Sequence, residues 1–171
     1  MVDPAHFRRA ISMFATGVTV ITTRGPDGPA GMTASAVCSL SLEPVQLLVC
    51  ISNRLPTHNI LAETGRFAVN VLGETQASLA RHFATPQDDK FKGIGMREEG
   101  GVPILTAAIA TFVCELGERF PGGDHTIFIG RVVHLDHVED ASPLVYYGSD
   151  FGRLESRDHS LLRNWMESAE L

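Results

Sequence analysis

The sequence is short of several features that define large classes of protein. No run of apolar residues approaches the roughly 18–20 that a membrane-spanning helix needs, and residues 1–6 do not resemble a signal peptide. Basic residues are the minority, with 14 Lys and Arg against 20 Asp and Glu, and they form no basic stripe. A surface that binds the phosphate backbone of a nucleic acid is therefore not expected. We expect a cytoplasmic protein that binds neither nucleic acid nor a membrane.

Cysteine is scarce, and its placement argues against a cross-linked or metal-bound fold. The three cysteines, Cys38, Cys50 and Cys114, are far apart in the sequence and have apolar neighbours. An odd and dispersed set of this kind favours reduced thiols in the core over a disulfide framework or a zinc site. His134 and His137 are three residues apart on a predicted strand, which places them on opposite faces. No metal site is predicted.

Motifs of three common catalytic folds are also missing. The chain has no phosphate-binding Walker loop and no Gly-x-Ser-x-Gly nucleophile motif. Residues 93–98 begin like a dinucleotide-binding fingerprint, but Glu98 stands where the third glycine is required and no predicted strand precedes it. The motifs alone therefore leave the chemistry of this chain open.

What the chain does contain fits one domain. Its 171 residues, 44% of them hydrophobic, are enough to bury a sizeable core. Residues 3–14 predict an N-terminal helix that starts at Asp3-Pro4, is apolar on one face and is stopped by Gly17. Residues 18–23 and the extended segment after the turn at residues 25–29 predict a β-hairpin.

Most of the remaining chain predicts strands joined by short connections. The strands are expected at residues 45–52, which read as buried on both faces, and at 67–72, 108–120 and 126–137. Short helices are expected at residues 59–64 and 75–83, the second with Thr75 as a plausible cap, and residues 84–101 read as a loop. These connections are too short for a doubly wound parallel sheet. They favour a mainly β fold, a small antiparallel barrel with a few helices.

The C-terminal residues form a separate unit in this interpretation. Residues 158–171 predict an amphipathic helix with Leu161, Leu162, Trp165 and Met166 on one side. We expect it to pack on the domain formed by residues 1–157 or on a second copy of the chain.

Residues 31–41 are unusually rich in small and hydroxyl side chains. The run Gly-Met-Thr-Ala-Ser-Ala-Val-Cys-Ser-Leu-Ser comes directly before the strand at residues 45–52. Small side chains expose backbone amides and hydroxyls donate hydrogen bonds without adding charge, so a flat ring with polar edges could lie against such a strand. An ordinary barrel strand whose small residues permit tight packing explains the run equally well, and composition alone does not decide between the two.

The order of a series of short segments along the chain favours the ring-binding interpretation of residues 31–41. The segments are residues 14–23, 31–35, 39–44, 48–51, 65–72, 83–84, 89–91, 123–132 and 143–147, and the first of them reads FATGVTVITT. Together they cover about residues 7–153, and in this order the chain resembles the flavin reductase-like family. Members of that family are short reductases that supply reduced flavin to two-component monooxygenases.

The resemblance implies a fold, a reaction and partners. The fold is the FMN-binding split β-barrel, antiparallel and of Greek-key type, and the assembly is a homodimer. The reaction is that of an NAD(P)H:flavin oxidoreductase, in which a hydride passes from nicotinamide C4 to the N5 atom of FMN or FAD. The reduced flavin then goes to a flavin-dependent oxygenase. The absence of an arginine cluster for a 2′-phosphate favours NADH over NADPH.

The resemblance also assigns roles to residues in this numbering. The expected flavin contacts are Thr33, Ala34 and Ser35 at the ring edge, Ser39 near the ribityl chain or phosphate, Cys50 and Ile51 along the ring, Ser52, Asn53, Arg54, Thr57 and His58 at the phosphate, and Phe83, Ala84 and Lys90 at the tail. Physical chemistry supports the phosphate assignment, because Thr57 can cap a helix whose free amides attract an anion and Arg54 adds positive charge.

His125, in the Gly-Asp-His turn, is the expected catalytic-site residue. The resemblance places it at the open face of the flavin ring, where the nicotinamide stacks, as a positioning donor and not as an essential base. A structural role for His125 and a solvated Arg54 are the plainer alternatives. Two alternative functions are a pyridoxamine-phosphate-oxidase-like flavoenzyme and a non-catalytic protein that binds or stores flavin.

Overall fold

The computed structural model describes residues 2–154, which form three helices and twelve strands. The helices are α1 (Pro4–Ile11), α2 (Pro56–Thr64) and α3 (Ala77–Ala84). The strands are β1 (Thr16–Gly17), β2 (Thr19–Gly25), β3 (Gly28–Ala34), β4 (Val37–Leu42), β5 (Val45–Ser52), β6 (Arg66–Val71), β7 (Met96–Glu99), β8 (Val102–Leu105), β9 (Ala110–Gly122), β10 (His125–His137), β11 (Val145–Tyr147) and β12 (Asp150–Gly152). The helix expected at residues 158–171 lies outside the described residues.

Seven strands form one antiparallel sheet in the order β3-β2-β6-β9-β10-β5-β4. Strands β3 and β4 lie at opposite edges of this sheet although only Ser35 and Ala36 separate them in the chain. The sheet must therefore curl until its edges meet at that corner. Two register shifts between β9 and β10 supply part of the bending. The result is a barrel that stays open between β3 and β5, which confirms the mainly β, split-barrel prediction.

The two larger apolar clusters lie on the two sides of the barrel wall. The barrel interior is filled by side chains that include Ile51, Phe67 and Phe128. The second cluster packs α3 and the loop after it onto β2, with Phe83 and Phe91 in edge-to-face contact at 5.2 Å between ring centres. This second cluster fixes α3 beside the edge strand β3, where it borders the opening of the barrel.

The N-terminal helix agrees with the sequence at its start and differs at its end. Asp3 caps α1 by accepting hydrogen bonds from the backbone N–H groups of Ala5 and His6. The helix ends at Ile11, well before Gly17, which belongs to β1. The prediction that Gly17 stops the helix is wrong. The apolar face of α1 is exposed on this chain, since Phe7 is 58% and Ile11 51% accessible.

The two other helices begin at different residues from those predicted. Helix α2 starts at Pro56 with Leu55 at its N-cap position and no side-chain cap, so Thr57 is not its cap. Helix α3 starts at Ala77 with Gln76 at the N-cap position, so Thr75 is not a cap either. Proline at the first position sets the backbone for α2 without a capping side chain.

Two strand predictions also need correction. From Gln46 onward, strand β5 alternates between half-buried and buried residues and is not buried on both faces, because one face looks into the barrel and the other ends at the barrel opening with Cys50 and Ser52. Residues 84–101 are not all loop, since β7 lies within them and pairs with β8. Asn70 anchors that hairpin: fully buried, it donates to Val20 O and accepts from the backbone N–H of Leu105.

Within residues 2–154, the three helices are all too short to cross a membrane.

Candidate functional site

A groove runs along the opening of the barrel and consists of two adjoining cavities. The first has a volume of about 210 Å³ and lies between β3, β5 and the start of β10. The second, about 370 Å³, lies between β3, the start of α2 and the loop after α3. Met32 and Leu55 line both cavities, so we treat them as one feature, the β3–β5 groove. The first cavity is further lined by Thr33, Ala34, Ser35, Ala36, Cys50, Ser52 and His125.

Strand β3 borders the groove as an edge strand. It pairs with β2 on one side only, so the alternate backbone N–H and C=O groups of its other side are left for a ligand. The hydroxyl of Thr33 donates to the Ala80 carbonyl of α3 at 2.6 Å. Because the hydroxyl proton is already donated to Ala80, Thr33 can offer a ligand only its backbone groups and the hydroxyl oxygen as an acceptor. Ser35, at the exposed end of the run, carries a hydroxyl at the groove.

The end of strand β5 contributes two alternate residues, Cys50 and Ser52, to the groove. Cys50 lines the first cavity, and burial raises the pKa of its thiol, which keeps it neutral. Ile51 points to the opposite face and is fully buried in the barrel interior. The prediction that its side chain lines the flavin ring is therefore not supported. All three cysteines are free thiols, but Cys38 is exposed and does not belong to the core.

His125 stands at the far end of the first cavity, at the first residue of β10. Its Nδ1 atom is 2.7 Å from Oδ1 of Asp124. The hydrogen bond and the charge of His125, with a smaller contribution from Arg54, lower the pKa of Asp124, so this carboxylate stays ionised and accepts the Nδ1 proton. In the neutral ring Nε2 is then an acceptor, and it becomes a donor only when the ring is protonated.

Residues 52–54, at the end of β5 and just after it, lie partly at the groove and partly against the turn that carries His125. Ser52 lines the first cavity and lies opposite His125 in register. The backbone N–H of Asn53 donates to the Asp124 carbonyl at 3.0 Å, and its side chain accepts from Thr126. Arg54 is exposed and lies near enough to influence the charge of Asp124. Neither Asn53 nor Arg54 lines either cavity of the groove.

Helix α2 faces the second cavity with its first turn. Leu55, Pro56 and Thr57 line that cavity, and Thr57 is 5% exposed. His58 does not line it. Its ring instead reaches Thr126, with Nε2 at 2.9 Å from the hydroxyl oxygen.

Lys90 is the cation of the second cavity. Its Nζ donates to the Phe83 carbonyl at 2.7 Å and to the Gly31 carbonyl at 3.3 Å, and burial lowers its pKa. Ala84 and Asp88 line the same cavity. The side chain of Phe83 is fully buried in the second apolar cluster and does not reach the groove. Only the backbone of Phe83 takes part, through the carbonyl that holds Lys90.

Ser39 lies away from the groove. It lines a separate, mostly apolar cavity of about 260 Å³ together with Leu42, Val45 and Phe112. Neighbouring residues of a strand point to opposite faces, and Ser39 faces the side of Leu47, its partner in register. The predicted approach of Ser39 to a ribityl chain is not supported by this placement.

Three residues that the sequence did not single out also shape the site, two in the groove and one behind it. Met32 and Leu55 form its apolar wall, and Asp124 fixes the histidine ring. Asp124 stood beside His125 in the turn, so its acidic side chain was a visible signal. Met32 and Leu55 gave no such signal, because apolar side chains beside a strand and a helix are ordinary packing residues.

The fold and the groove define a class: a split β-barrel with an open, elongated ligand groove along an edge strand. A family model described as "flavin reductase like domain" matches residues 11–155. The chain belongs to this family, which confirms the resemblance drawn from the sequence.

Several characterised proteins are similar to this chain over most of their length. The reductase component of 4-nitrophenol 4-monooxygenase/4-nitrocatechol 2-monooxygenase from Rhodococcus opacus is 40% identical over 150 residues, which cover 88% of this chain and 80% of that protein. A flavin reductase (NADH) from Kitasatospora aureofaciens is 42% identical over 158 residues, covering 90% and 83%. The structure of a Streptomyces globisporus NADH:FAD oxidoreductase in complex with NAD and FAD fragments has a TM-score of 0.86 at 36% identity, covering 93% of this chain and 98% of that one.

Proposed function

We propose that this protein is an NADH-dependent flavin reductase that reduces FMN or FAD and supplies the reduced flavin to a partner oxygenase. The β3–β5 groove supports this function most directly. It brings Thr33 and Ser35 together with Cys50 and His125, which are distant in the chain. The names of the relatives support the same reaction, since they include an NADH flavin reductase and a monooxygenase reductase component.

The residues of the groove fit a flavin nucleotide. Its first cavity combines the unpaired backbone of β3 with a small, neutral thiol at Cys50, which suits a flat ring with polar edges. Its second cavity combines Lys90 with the first turn of α2, and both attract an anionic phosphate. A bound flavin supplies a ring atom, N5, that accepts a hydride from nicotinamide C4. The protein contributes position and charge.

Each side of the groove has a separate task in this proposal. The β3 backbone from Thr33 to Ser35 donates to the ring and stabilises the negative charge that develops on it during reduction. Lys90 holds the phosphate end. His125, with Asp124 behind it, orients the nicotinamide over the open side of the ring. Within the described residues, no arginine cluster that could hold a 2′-phosphate lines the groove, which supports NADH as the donor.

An open groove also suits a flavin that leaves after reduction. Both cavities open to solvent along the barrel edge, and no cation other than Lys90 lines either of them among the described residues. Such a site binds a flavin nucleotide reversibly, as delivery to an oxygenase requires. The free thiols of the three cysteines fit the reducing environment of the cytoplasm, where NADH is available.

Exposed apolar side chains support a homodimer. Phe14 is 69% accessible beyond the end of α1, and Leu42 is 81% accessible at the end of the edge strand β4. Strand β4 also borders the apolar cavity of about 260 Å³ that contains Val45. A second copy that covers the β4 edge would bury apolar area that is costly to leave in water.

The test is an activity assay with purified protein, FMN or FAD, and NADH or NADPH in all four combinations. We expect a colourless protein that oxidises NADH only when free flavin is added, and that prefers NADH. A yellow protein that is inert to both nicotinamides would contradict the proposal and favour a flavin-binding protein. Turnover of a pyridoxine substrate without reduction of free flavin would contradict it in favour of the oxidase-like alternative.

A further inference from the structure

A chain of hydrogen bonds lies behind the turn that carries His125. Thr126 follows His125 in β10, so its side chain points to the other face of the sheet, away from the groove. Its hydroxyl oxygen is 2.9 Å from Oδ1 of Asn53 and 2.9 Å from Nε2 of His58. The chain of bonds therefore joins β10, the segment after β5 and helix α2.

The direction of each bond follows from the groups involved. Oδ1 of Asn53 can only accept, so the single hydroxyl proton of Thr126 is donated to it. The Thr126 oxygen then accepts from Nε2 of His58, and Nδ1 of the same ring lies 2.9 Å from Oδ1 of Asn59, the next residue of α2. The His58 ring also packs edge-on against the fully buried Phe128, with 5.2 Å between ring centres. His58 is thus held by the core while it holds Thr126.

The same chain fixes the backbone of the turn. The N–H of Asn53 donates to the Asp124 carbonyl at 3.0 Å, and the Asp124 carboxylate accepts from Nδ1 of His125 at 2.7 Å. A continuous path of hydrogen bonds and adjacent residues therefore runs from His58 in α2 to the ring of His125 in the groove.

We propose that His58 is a positioning residue for the nicotinamide side of the site, acting through Thr126 and Asn53 on the turn that carries His125. Its kinetic consequence rests on the proposed function. The placement of His58 supports this role over direct contact with a flavin phosphate, because His58 lines neither cavity whereas its neighbour Thr57 lines the second.

Two substitutions of the same residue separate this role from simple loss of a side chain. In His58→Gln the side-chain amide can replace Nε2 as the donor to Thr126. In His58→Asn the amide is too short to reach the place of Nε2 and reproduces only the position of Nδ1. Thr126→Val removes the hydroxyl and keeps the shape of the side chain. His134→Gln, at an exposed position of β10 outside this chain of hydrogen bonds, controls for the replacement of a histidine by glutamine elsewhere in the protein.

The measurements are flavin affinity by fluorescence quenching and the kinetics of NADH oxidation. For His58→Asn and Thr126→Val we expect a nicotinamide KM about fivefold to tenfold higher, or hydride transfer slower by a similar factor, which corresponds to the loss of one hydrogen bond. The flavin dissociation constant should stay within about twofold, and His58→Gln should recover most of the loss. Weaker flavin binding with unchanged nicotinamide kinetics would overturn the proposal in favour of a phosphate contact. Equal behaviour of the Gln and Asn variants would also overturn it.

Backbone hydrogen exchange gives a readout that does not depend on activity. We expect the amides around Asp124–Thr126 to exchange faster in His58→Asn than in wild type, and close to wild type in His58→Gln. Unchanged exchange in His58→Asn would overturn the positioning role even in an active enzyme. If the wild-type protein does not reduce flavin, the proposed function fails, and the exchange result alone then decides whether His58 holds the turn.

Discussion

At the scale of single residues, the site depends on a few polar contacts between groups that are distant in the sequence. The ionised Asp124 holds the His125 ring, and two backbone carbonyls hold the ammonium group of Lys90. Each contact links one end of the groove to the wall that supports it. A change at His125 should therefore affect the nicotinamide, and a change at Lys90 should affect the flavin phosphate.

Replacing His125 tests the nicotinamide end. In His125→Ala the nicotinamide KM should rise or hydride transfer should slow, by about tenfold, because one positioning hydrogen bond is lost. Flavin binding should continue, since the β3 backbone and Lys90 are unchanged. Steady-state kinetics and flavin titration measure the two effects, with His134→Ala on the same strand as the control. Wild-type kinetics in His125→Ala would show that the histidine is structural.

Replacing Lys90 and varying the pH tests the phosphate end. Burial lowers the pKa of Lys90 below 10.5, so its charge is lost at a lower pH than that of an exposed lysine. FMN affinity should therefore fall as the pH rises through this lowered value, while riboflavin, which lacks a phosphate, should show no such loss. Lys90→Met should bind FMN about tenfold more weakly and without this pH dependence. Equal pH dependence for FMN and riboflavin would contradict the assignment.

The same pKa shift has a consequence for the stability of the protein without ligand. Between the lowered pKa of Lys90 in the folded state and its unfolded value, the unfolded chain binds more protons. The contribution of Lys90 to the free energy of unfolding therefore increases as the pH rises through this window. A bound phosphate opposes the shift, because it favours the protonated amine.

At the scale of elements, periodicity predicted most of the barrel and missed the parts set by tertiary contacts. The first hairpin, β5, β6 and the two long strands β9 and β10 all lie close to the predicted positions. Strand β7 was missed because its short, charged sequence has no alternation of apolar residues, and because Asn70 of β6 holds the hairpin from outside it. A side chain that acts at long range leaves no local pattern.

The candidate site was predicted from the resemblance more than from the pattern. Thr33, Ala34, Ser35, Cys50, Ser52, Thr57, Ala84, Lys90 and His125 all line the groove. Ile51 and Phe83 do not, because a strand alternates its faces and because a helix residue next to the groove can point into the core. Sequence order identifies the segment that borders a site, whereas the direction of each side chain depends on the folded element.

Asn70 provides a test of how the β7–β8 hairpin is held. In Asn70→Leu the Leu105 N–H and the Val20 carbonyl lose a buried partner, so the free energy of unfolding should fall by about 2 kcal/mol. Urea unfolding measures this loss. Glu63→Leu, at an exposed position of α2, should change stability by less than about 0.5 kcal/mol. Similar effects of the two substitutions would show that Asn70 is not the anchor.

At the scale of the whole molecule, the exposed apolar surface around β4 predicts self-association. Sedimentation velocity should show a dimer for the wild-type chain, and Leu42→Asp should shift it toward the monomer because a charge would be buried in the interface. Lys92→Asp, at an exposed position outside that surface, is the control. A wild-type monomer at micromolar concentration would contradict the prediction.

In the proposed function, free flavin is reduced by NADH while it is bound in the β3–β5 groove. The most direct measurement is anaerobic mixing of protein, NADH and FMN, followed by the visible absorbance of oxidised flavin, for the wild type and for Ser35→Trp. The exposed Ser35 lines the first cavity, so the larger side chain should fill the groove without disturbing the core. We predict rapid bleaching by the wild type and almost none by a folded Ser35→Trp variant. Equal bleaching by both proteins would place the reaction elsewhere, and no bleaching by the wild type would refute the activity.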